Sequence, residues 1–187
     1  MAGIRRAAGR LVLRSPGPEH ADKFIALAVA SRRFHAGLVS PPRDHARYDA
    51  LLQRNRADDF EAFLLFRRED EALVGCVNLS QIFRLGFQSA YLGYWIGAPY
   101  ARRGYMAEGL ALVLTEAFRR MKLHRLEANI QPTNVPSRRV VQKLGFRLEG
   151  YSPRYLKIAG RWRDHERWAI LSEEWKPGRA PASPAGT

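Results

Sequence analysis

A strand-to-helix junction at residues 91–110 constrains the fold more than any other segment. The segment YLGYWIGAPYARRGYMAEGL begins as a strand, passes through a proline turn and a basic turn at Gly104, and ends in a helix. Free N–H groups and the helix dipole make such a helix start an anion site. Arg102 and Arg103 add positive charge, and glycine lets a phosphate approach the backbone. The junction therefore predicts a phosphate site, although the string alone also fits a plain tight turn beside solvated arginines.

Apolar periodicity predicts the remaining elements. Alternation with turn signals between the runs predicts strands, and apolar spacings of three and four predict helices. The predicted strands are 10–14, 62–66, 72–82, 90–96, 125–131, 146–156 and 161–171, and the predicted helices are 16–31, 44–56, 104–122 and 134–144. This order predicts an α/β (α+β) fold, with a mixed, mostly antiparallel sheet of about seven strands flanked by about four helices.

The length of 187 residues suits one domain. We predict a domain over residues 10–176, an N-terminal arm at 1–9 and a disordered tail at 177–187, where Pro, Ala and Ser are frequent. The single cysteine, Cys76, excludes an internal disulfide. With no signal peptide and no apolar run of membrane-spanning length, the sequence favours a cytoplasmic protein without a membrane partner.

The charge of the chain favours an anionic partner. Lys and Arg number 31 against 18 Asp and Glu, a net charge of +13. Residues 102–167 carry 15 of these basic side chains and 6 of the acidic ones. Nucleotide phosphates, RNA and acidic protein surfaces all remain open. An RNA-binding module is the rival interpretation, because aromatic residues lie among the basic ones, but the chain has no RNA-recognition motif. Those aromatic residues are Tyr151, Tyr155, Trp162 and Trp168.

A second helix start follows at TNVPSRRVVQKLGF, residues 133–146, with Asn134 as the predicted N-cap and Pro136 in the first turn. The order strand, phosphate turn, helix, strand, Asn-x-x-Ser, helix, Leu-Gly-Phe resembles the GNAT acyltransferase superfamily over about residues 10–176. The strings at 75–97, 124–151 and 161–165 resemble more narrowly the ribosomal-protein-alanine N-acetyltransferases.

The resemblance implies transfer of acetyl from acetyl-CoA to the α-amino group of a protein that begins with Ala or Ser, with a ribosomal protein as one candidate. A small-molecule amine is the alternative acceptor within the same fold. By position, the implied pyrophosphate turn consists of Arg102, Arg103, Gly104, Tyr105, Met106 and Ala107. The implied pantetheine contacts are Trp95, Ile96, Gly97 and Asn134. Ser137 is implied to donate a proton to the leaving thiolate, the alternative being a role in capping its own helix.

The general base is open at this stage. Glu127, on the strand before Asn134, is the first candidate, and the alternatives are Glu108, Asp164 and His165. Arg154 stands where the family tends to place an acidic residue, which removes one further candidate. No metal site is predicted, because one cysteine and scattered histidines give no ligand pattern.

Overall fold

Alternating apolar runs form an eight-stranded sheet in the computed structural model, which describes residues 4–177. The strands are β1 (Ile4–Ala8), β2 (Leu11–Arg14), β3 (Phe60–Arg67), β4 (Leu73–Phe83), β5 (Ser89–Ile96), β6 (Arg125–Ile130), β7 (Arg147–Ile158) and β8 (Arg161–Leu171). The α-helices are α1 (Ala21–Ala30), α2 (His45–Arg54), α3 (Tyr105–Arg119) and α4 (Val135–Lys143). Short 3-10 turns precede α1 and α3.

The strand order is β1-β2-β3-β4-β5-β6-β8-β7. All neighbours are antiparallel except β5 and β6, which are parallel. The mixed, mostly antiparallel sheet with four flanking α-helices is thereby confirmed. The parallel pair has α3 as its crossover, as parallel strands require.

The predicted N-terminal arm is wrong for Ile4–Ala8, because these residues form the edge strand β1 and pair with β2. Edge pairing uses backbone N–H and C=O groups, so β1 can form without the apolar alternation that marks the other strands. Of the predicted tail, residues 178–187 lie outside the described residues.

The helices divide between the two faces of the sheet. On one face α3 buries a stripe at the spacing of three and four, comprising Leu110, Val113, Leu114 and Ala117, in a core that also includes Val141 of α4. On the other face Phe24 of α1 and Tyr48 of α2 pack with Leu64, Phe66 and Trp95. We call these the α3–α4 face and the α1–α2 face. Each strand therefore exposes alternate residues to two different environments.

The two parallel strands diverge after a short paired segment. Pairing joins Ser89, Ala90 and Tyr91 of β5 to Arg125, Leu126 and Glu127 of β6. Beyond this point β5 continues to Ile96 and β6 to Ile130 without pairing to one another. The space between the diverging ends is called the gap below.

We expect Leu114→Ala to lower the free energy of unfolding by about 2–5 kcal/mol, because it leaves a cavity in the core beneath α3. Urea unfolding followed by circular dichroism measures the change. Val29→Ala is the control, because Val29 of α1 is half exposed and its truncation removes little buried surface. Equal midpoints for the two variants would contradict the assignment of Leu114 to the core.

Candidate active site

The backbone of β5 offers hydrogen-bonding groups to the gap. The Gly97 N–H donates to the Val74 carbonyl on β4, at 2.8 Å, whereas the Gln88 carbonyl accepts from His124 on the opposite side. Backbone groups alternate between the two edges of a strand. Leu92, Tyr94 and Ile96 therefore direct their N–H and C=O groups toward the gap, where β6 no longer pairs with them. An extended ligand with amide groups can take the place of the missing strand.

This alternation corrects part of the predicted pantetheine contact. Gly97 uses its N–H for β4, and Trp95 pairs with Cys76 on the same edge. The Trp95 indole is 6% exposed and packs edge-on against Phe24, with ring centroids 5.1 Å apart. Of the three predicted residues, Ile96 is the one whose backbone groups point into the gap.

The turn before α3 has the conformation of an anion site. Gly104 is the N-cap with φ +81°, and Arg102 also has positive φ, at 60°. The first N–H bonded within the helix is that of Glu108, which donates to the Gly104 carbonyl at 3.1 Å. The preceding N–H groups, up to Ala107, are left for a ligand, and the helix dipole favours an anion there. Tyr105 and Met106 contribute backbone only, since their side chains are buried.

The Glu108 carboxylate binds Arg10 next to the turn. This contact removes Glu108 from the candidate bases. Its carboxylate accepts from the backbone N–H of Arg10 and, at 3.0 Å, from the Arg10 guanidinium. The same guanidinium donates to the Arg103 carbonyl at 3.1 Å and lies over the Tyr105 ring, 4.4 Å from its centroid. The β1–β2 turn is thus tied directly to the phosphate turn.

The start of α4 brings a hydroxyl pair to the gap. The Asn134 side chain caps the helix by accepting from the Ser137 N–H at 3.3 Å. Because Asn134 performs the capping, the Ser137 hydroxyl is not used for it and instead forms a 2.6 Å hydrogen bond with the Tyr94 hydroxyl. Burial raises the pKa of Tyr94 to about 12, so its phenol keeps its proton at neutral pH. The pair therefore holds protons that a group bound in the gap can accept.

No motif in the sequence marks Tyr94 as functional. It lies in a strand whose apolar alternation accounts for its aromatic ring, and its partner Ser137 is on a different element. The one available signal is its position in the alternation along β5, since the backbone groups of Tyr94 and Ile96 face the gap.

Glu127 lies on the α1–α2 face of β6. Leu126, Ala128 and Ile130 face the α3–α4 core, so the odd-numbered residues of β6 face the other way. Glu127 is opposite Tyr91, in the last pair before the gap opens. Its carboxylate accepts from Arg125 at 2.8 Å. The structure therefore places this candidate base at the closed end of the gap, within an ion pair.

Asp164 and His165 hold the β7–β8 hairpin together. The Asp164 carboxylate accepts from the Tyr151 hydroxyl at 2.5 Å and from the Arg154 N–H at 2.7 Å. These bonds, the Tyr151 contribution first, keep the pKa of Asp164 below its ordinary value. The buried His165 ring bonds through Nδ1 to the Arg163 carbonyl at 2.9 Å. Both side chains are occupied by structural contacts.

Two further properties bear on the class of site. Within residues 4–177 no group of His, Cys, Asp and Glu is arranged to hold a metal ion. In that same range no helix has the length and apolarity to cross a membrane.

Among the aromatic residues that the RNA-binding interpretation invoked, Trp168 is buried in the core, and Tyr151 is bonded to Asp164.

The unpaired edge of β5 lies next to a helix start whose N-cap, Gly104, supplies no side-chain hydrogen bond, and together they can bind a ligand that carries amides and phosphates. A family model described as "Acetyltransferase (GNAT) domain" matches residues 10–147. The chain belongs to the GNAT acetyltransferase family, whose members use acetyl-CoA. The residues present fit that molecule, since the β5 edge matches the amides and the Gly104 turn matches the pyrophosphate.

Individual relatives agree with this assignment. Probable N-acetyltransferase YjcK of Bacillus subtilis is 39% identical over 122 residues, which cover 65% of this chain and 67% of that protein. The ribosomal protein uS5-alanine N-acetyltransferase of Escherichia coli is 38% identical over 117 residues, covering 63% of this chain and 60% of the relative. The structure of Mycobacterium smegmatis RimJ in complex with CoA-disulfide superposes with a TM-score of 0.82 at 28% identity, covering 96% of this chain and 90% of that one.

We expect Gly104→Val to weaken acetyl-CoA binding at least tenfold, because a β-branched residue resists φ +81° and displaces the N–H groups of the turn. Isothermal titration calorimetry measures the dissociation constant. The matched control is Gly160→Val in the β7–β8 turn, where φ is +80° and nothing lies within 4 Å of an added Cβ. If Gly104→Val binds as well as the control, the phosphate site lies elsewhere.

Proposed function

We propose that this enzyme transfers acetyl from acetyl-CoA to the N-terminal α-amino group of a protein that begins with Ala or Ser, with a ribosomal protein as the favoured acceptor. The relative named for uS5-alanine acetylation supports the proposal at 38% identity. The observation that carries it is the charge of the acceptor side. We take the α1–α2 side of β6 and β8 as the acceptor side, and cationic side chains lie on that side.

The cationic character follows from strand alternation. On β8, Trp168 and Ile170 belong to the α3–α4 core, so Arg163 and Arg167 face the other side, as does Arg125 on β6. Arg125 is neutralised by Glu127 and Glu149, whereas Arg163 and Arg167 keep this face positive. A polyamine carries several charges that this face repels. A peptide N-terminus needs to present only one amine, and about a tenth of that amine is already neutral at pH 7 because its ordinary pKa is near 8.

The chain's residues then divide the work. Acetyl-CoA supplies an activated acetyl thioester. The Gly104 turn binds its phosphates, and the gap-facing backbone of β5 orients its amide-containing arm, together with the Asn134 side chain. The Ser137 hydroxyl, bonded to Tyr94, supplies a proton to the leaving sulfur, and the Tyr94 phenol holds Ser137 in position. An interaction that strengthens as charge develops on sulfur accelerates the reaction more than it improves binding.

We expect Ser137→Ala to lower kcat about 10²-fold or more while changing the acetyl-CoA dissociation constant less than twofold. Tyr94→Phe keeps the ring and removes the hydroxyl, so we expect a smaller loss of kcat in the same direction. Steady-state thiol release and calorimetry measure the two quantities. Unchanged turnover in Ser137→Ala would assign its hydroxyl a structural role only.

The acceptor class is tested by competition at pH 7.5. An Ala-initiated peptide, the same peptide with a blocked N-terminus and an internal lysine, and spermidine are offered at equal concentrations. We expect the free α-amine to react fastest, because a larger fraction of it is deprotonated than of an amine with a pKa near 10. Mass spectrometry identifies the products. Preferential acetylation of spermidine would establish the small-molecule alternative, and preferential acetylation of the blocked peptide would establish a lysine acceptor.

A further inference from the structure

The connection between α1 and α2 crosses the open end of the gap. The Ser31 hydroxyl accepts from the Ala98 N–H, just past the end of β5, at 2.9 Å. The Gln131 side chain, just past the end of β6, donates to the Gly37 carbonyl at 2.8 Å. Two points of one segment are therefore fixed to the two strands where these have moved apart. Residues 31–37 form a bridge over the gap on the α1–α2 face, called the bridge below.

His35 lies in the middle of the bridge. Its side chain is buried, with 6% of the residue exposed, and its ring meets Trp95 edge-on at a centroid distance of 5.7 Å. Its ring also lies near the backbone of Ile96, the residue whose backbone groups face the gap. His35 is thus held against the gap-lining end of β5.

One ring nitrogen of His35 is unsatisfied. Nε2 is buried and has no hydrogen-bond partner. Buried polar atoms in proteins are almost always paired, because an unpaired one costs the free energy of its desolvation. A donor on a ligand bound in the gap would pair this nitrogen, since His35 lies on the bridge over the gap.

The charge state of His35 suits an acceptor of protons. Burial is the main effect on its pKa and lowers it, while the Ile96 backbone acts in the opposite direction. The imidazole is therefore neutral at pH 7, and in the tautomer that carries its proton on Nδ1 it presents a lone pair at Nε2. The rings that contact it, Phe34 and Trp95, do not titrate. The charged side chains beside it on the bridge, Arg32 and Arg33, are exposed.

We propose that Nε2 of His35 is the general base that removes the proton from the acceptor amine. The inference rests on the proposed acetyl transfer to an amine. The amine nitrogen forms a bond to the acetyl carbonyl carbon, the carbon–sulfur bond breaks, and the nitrogen gives one proton to Nε2. Ser137 gives one proton to the sulfur, and exchange with water returns His35 and Ser137 to their starting forms.

Position along β5 favours His35 over Glu127. The Ser137–Tyr94 pair marks the sulfur, and Tyr94 is about 7 Å along the strand from Ile96 but about 10 Å from Tyr91, the partner of Glu127. Glu127 also lies where β5 and β6 are still paired, and Arg125 occupies its carboxylate. His35 is at the open end, where a peptide can enter.

The test compares His35→Gln with Glu127→Gln and with His20→Gln. His20 is the matched control, because it is equally buried on the same side of the sheet but its Nδ1 accepts from the Gly17 N–H at 3.1 Å. We expect His35→Gln to lower kcat/KM for an Ala-initiated peptide about 10²-fold or more at pH 7, with acetyl-CoA affinity and melting temperature close to wild type. The acidic limb of the pH–rate profile should disappear in that variant and persist in the other two.

Two further measurements test the role of His35 without relying on the turnover of one variant. NMR titration of the ligand-free protein should give His35 a pKa below the ordinary value, matching the acidic limb of the wild-type profile. Imidazole added to His35→Ala should restore part of its rate. If His35→Gln retains the wild-type rate and pH profile, or if Glu127→Gln alone loses the acidic limb, the assignment of His35 is overturned. If the wild-type enzyme acetylates no amine, the proposed function itself fails.

Discussion

The divergence of β5 and β6 is the constraint on which the site depends. In a fully paired sheet the N–H and C=O groups of Leu92, Tyr94 and Ile96 would be consumed by the neighbouring strand. Since pairing ends at Tyr91 and Glu127, β6 does not pair with these groups, and an extended ligand can take the place of the missing strand. The same divergence leaves an opening that Ser137 approaches from the α3–α4 face and the bridge with His35 from the α1–α2 face.

Much of this arrangement is legible from the sequence because it is local. The apolar stripe of α3, the glycine turn before it and the Asn134 cap each depend on a few neighbouring residues, and the structure has all three. The order of strands and helices follows from the same local signals. Local periodicity is therefore enough to predict the fold and the position of the turn at Gly104.

The remainder depends on contacts between distant segments. Tyr94 meets Ser137 across 43 positions of sequence, and no pattern in either segment encodes that distance. The edge to which Gly97 directs its N–H depends on the register between β4 and β5. His35 lies in a stretch with no periodicity, and its burial arises from Trp95, on a different strand. Strand β1 could not be predicted from the apolar pattern either, because backbone atoms make the pairing of an edge strand.

The turn at Gly104 offers main-chain groups to a ligand. Tyr105 and Met106 direct their side chains into the core, and the groups presented to a ligand are N–H donors that every residue except proline possesses. What has to be inherited at this turn is a backbone shape, for which glycine at position 104 is the principal requirement. The identities of the surrounding residues are free to drift under the demands of packing. Related enzymes can therefore lose recognisable similarity in their turn sequences while the backbone N–H groups still bind the same ligand.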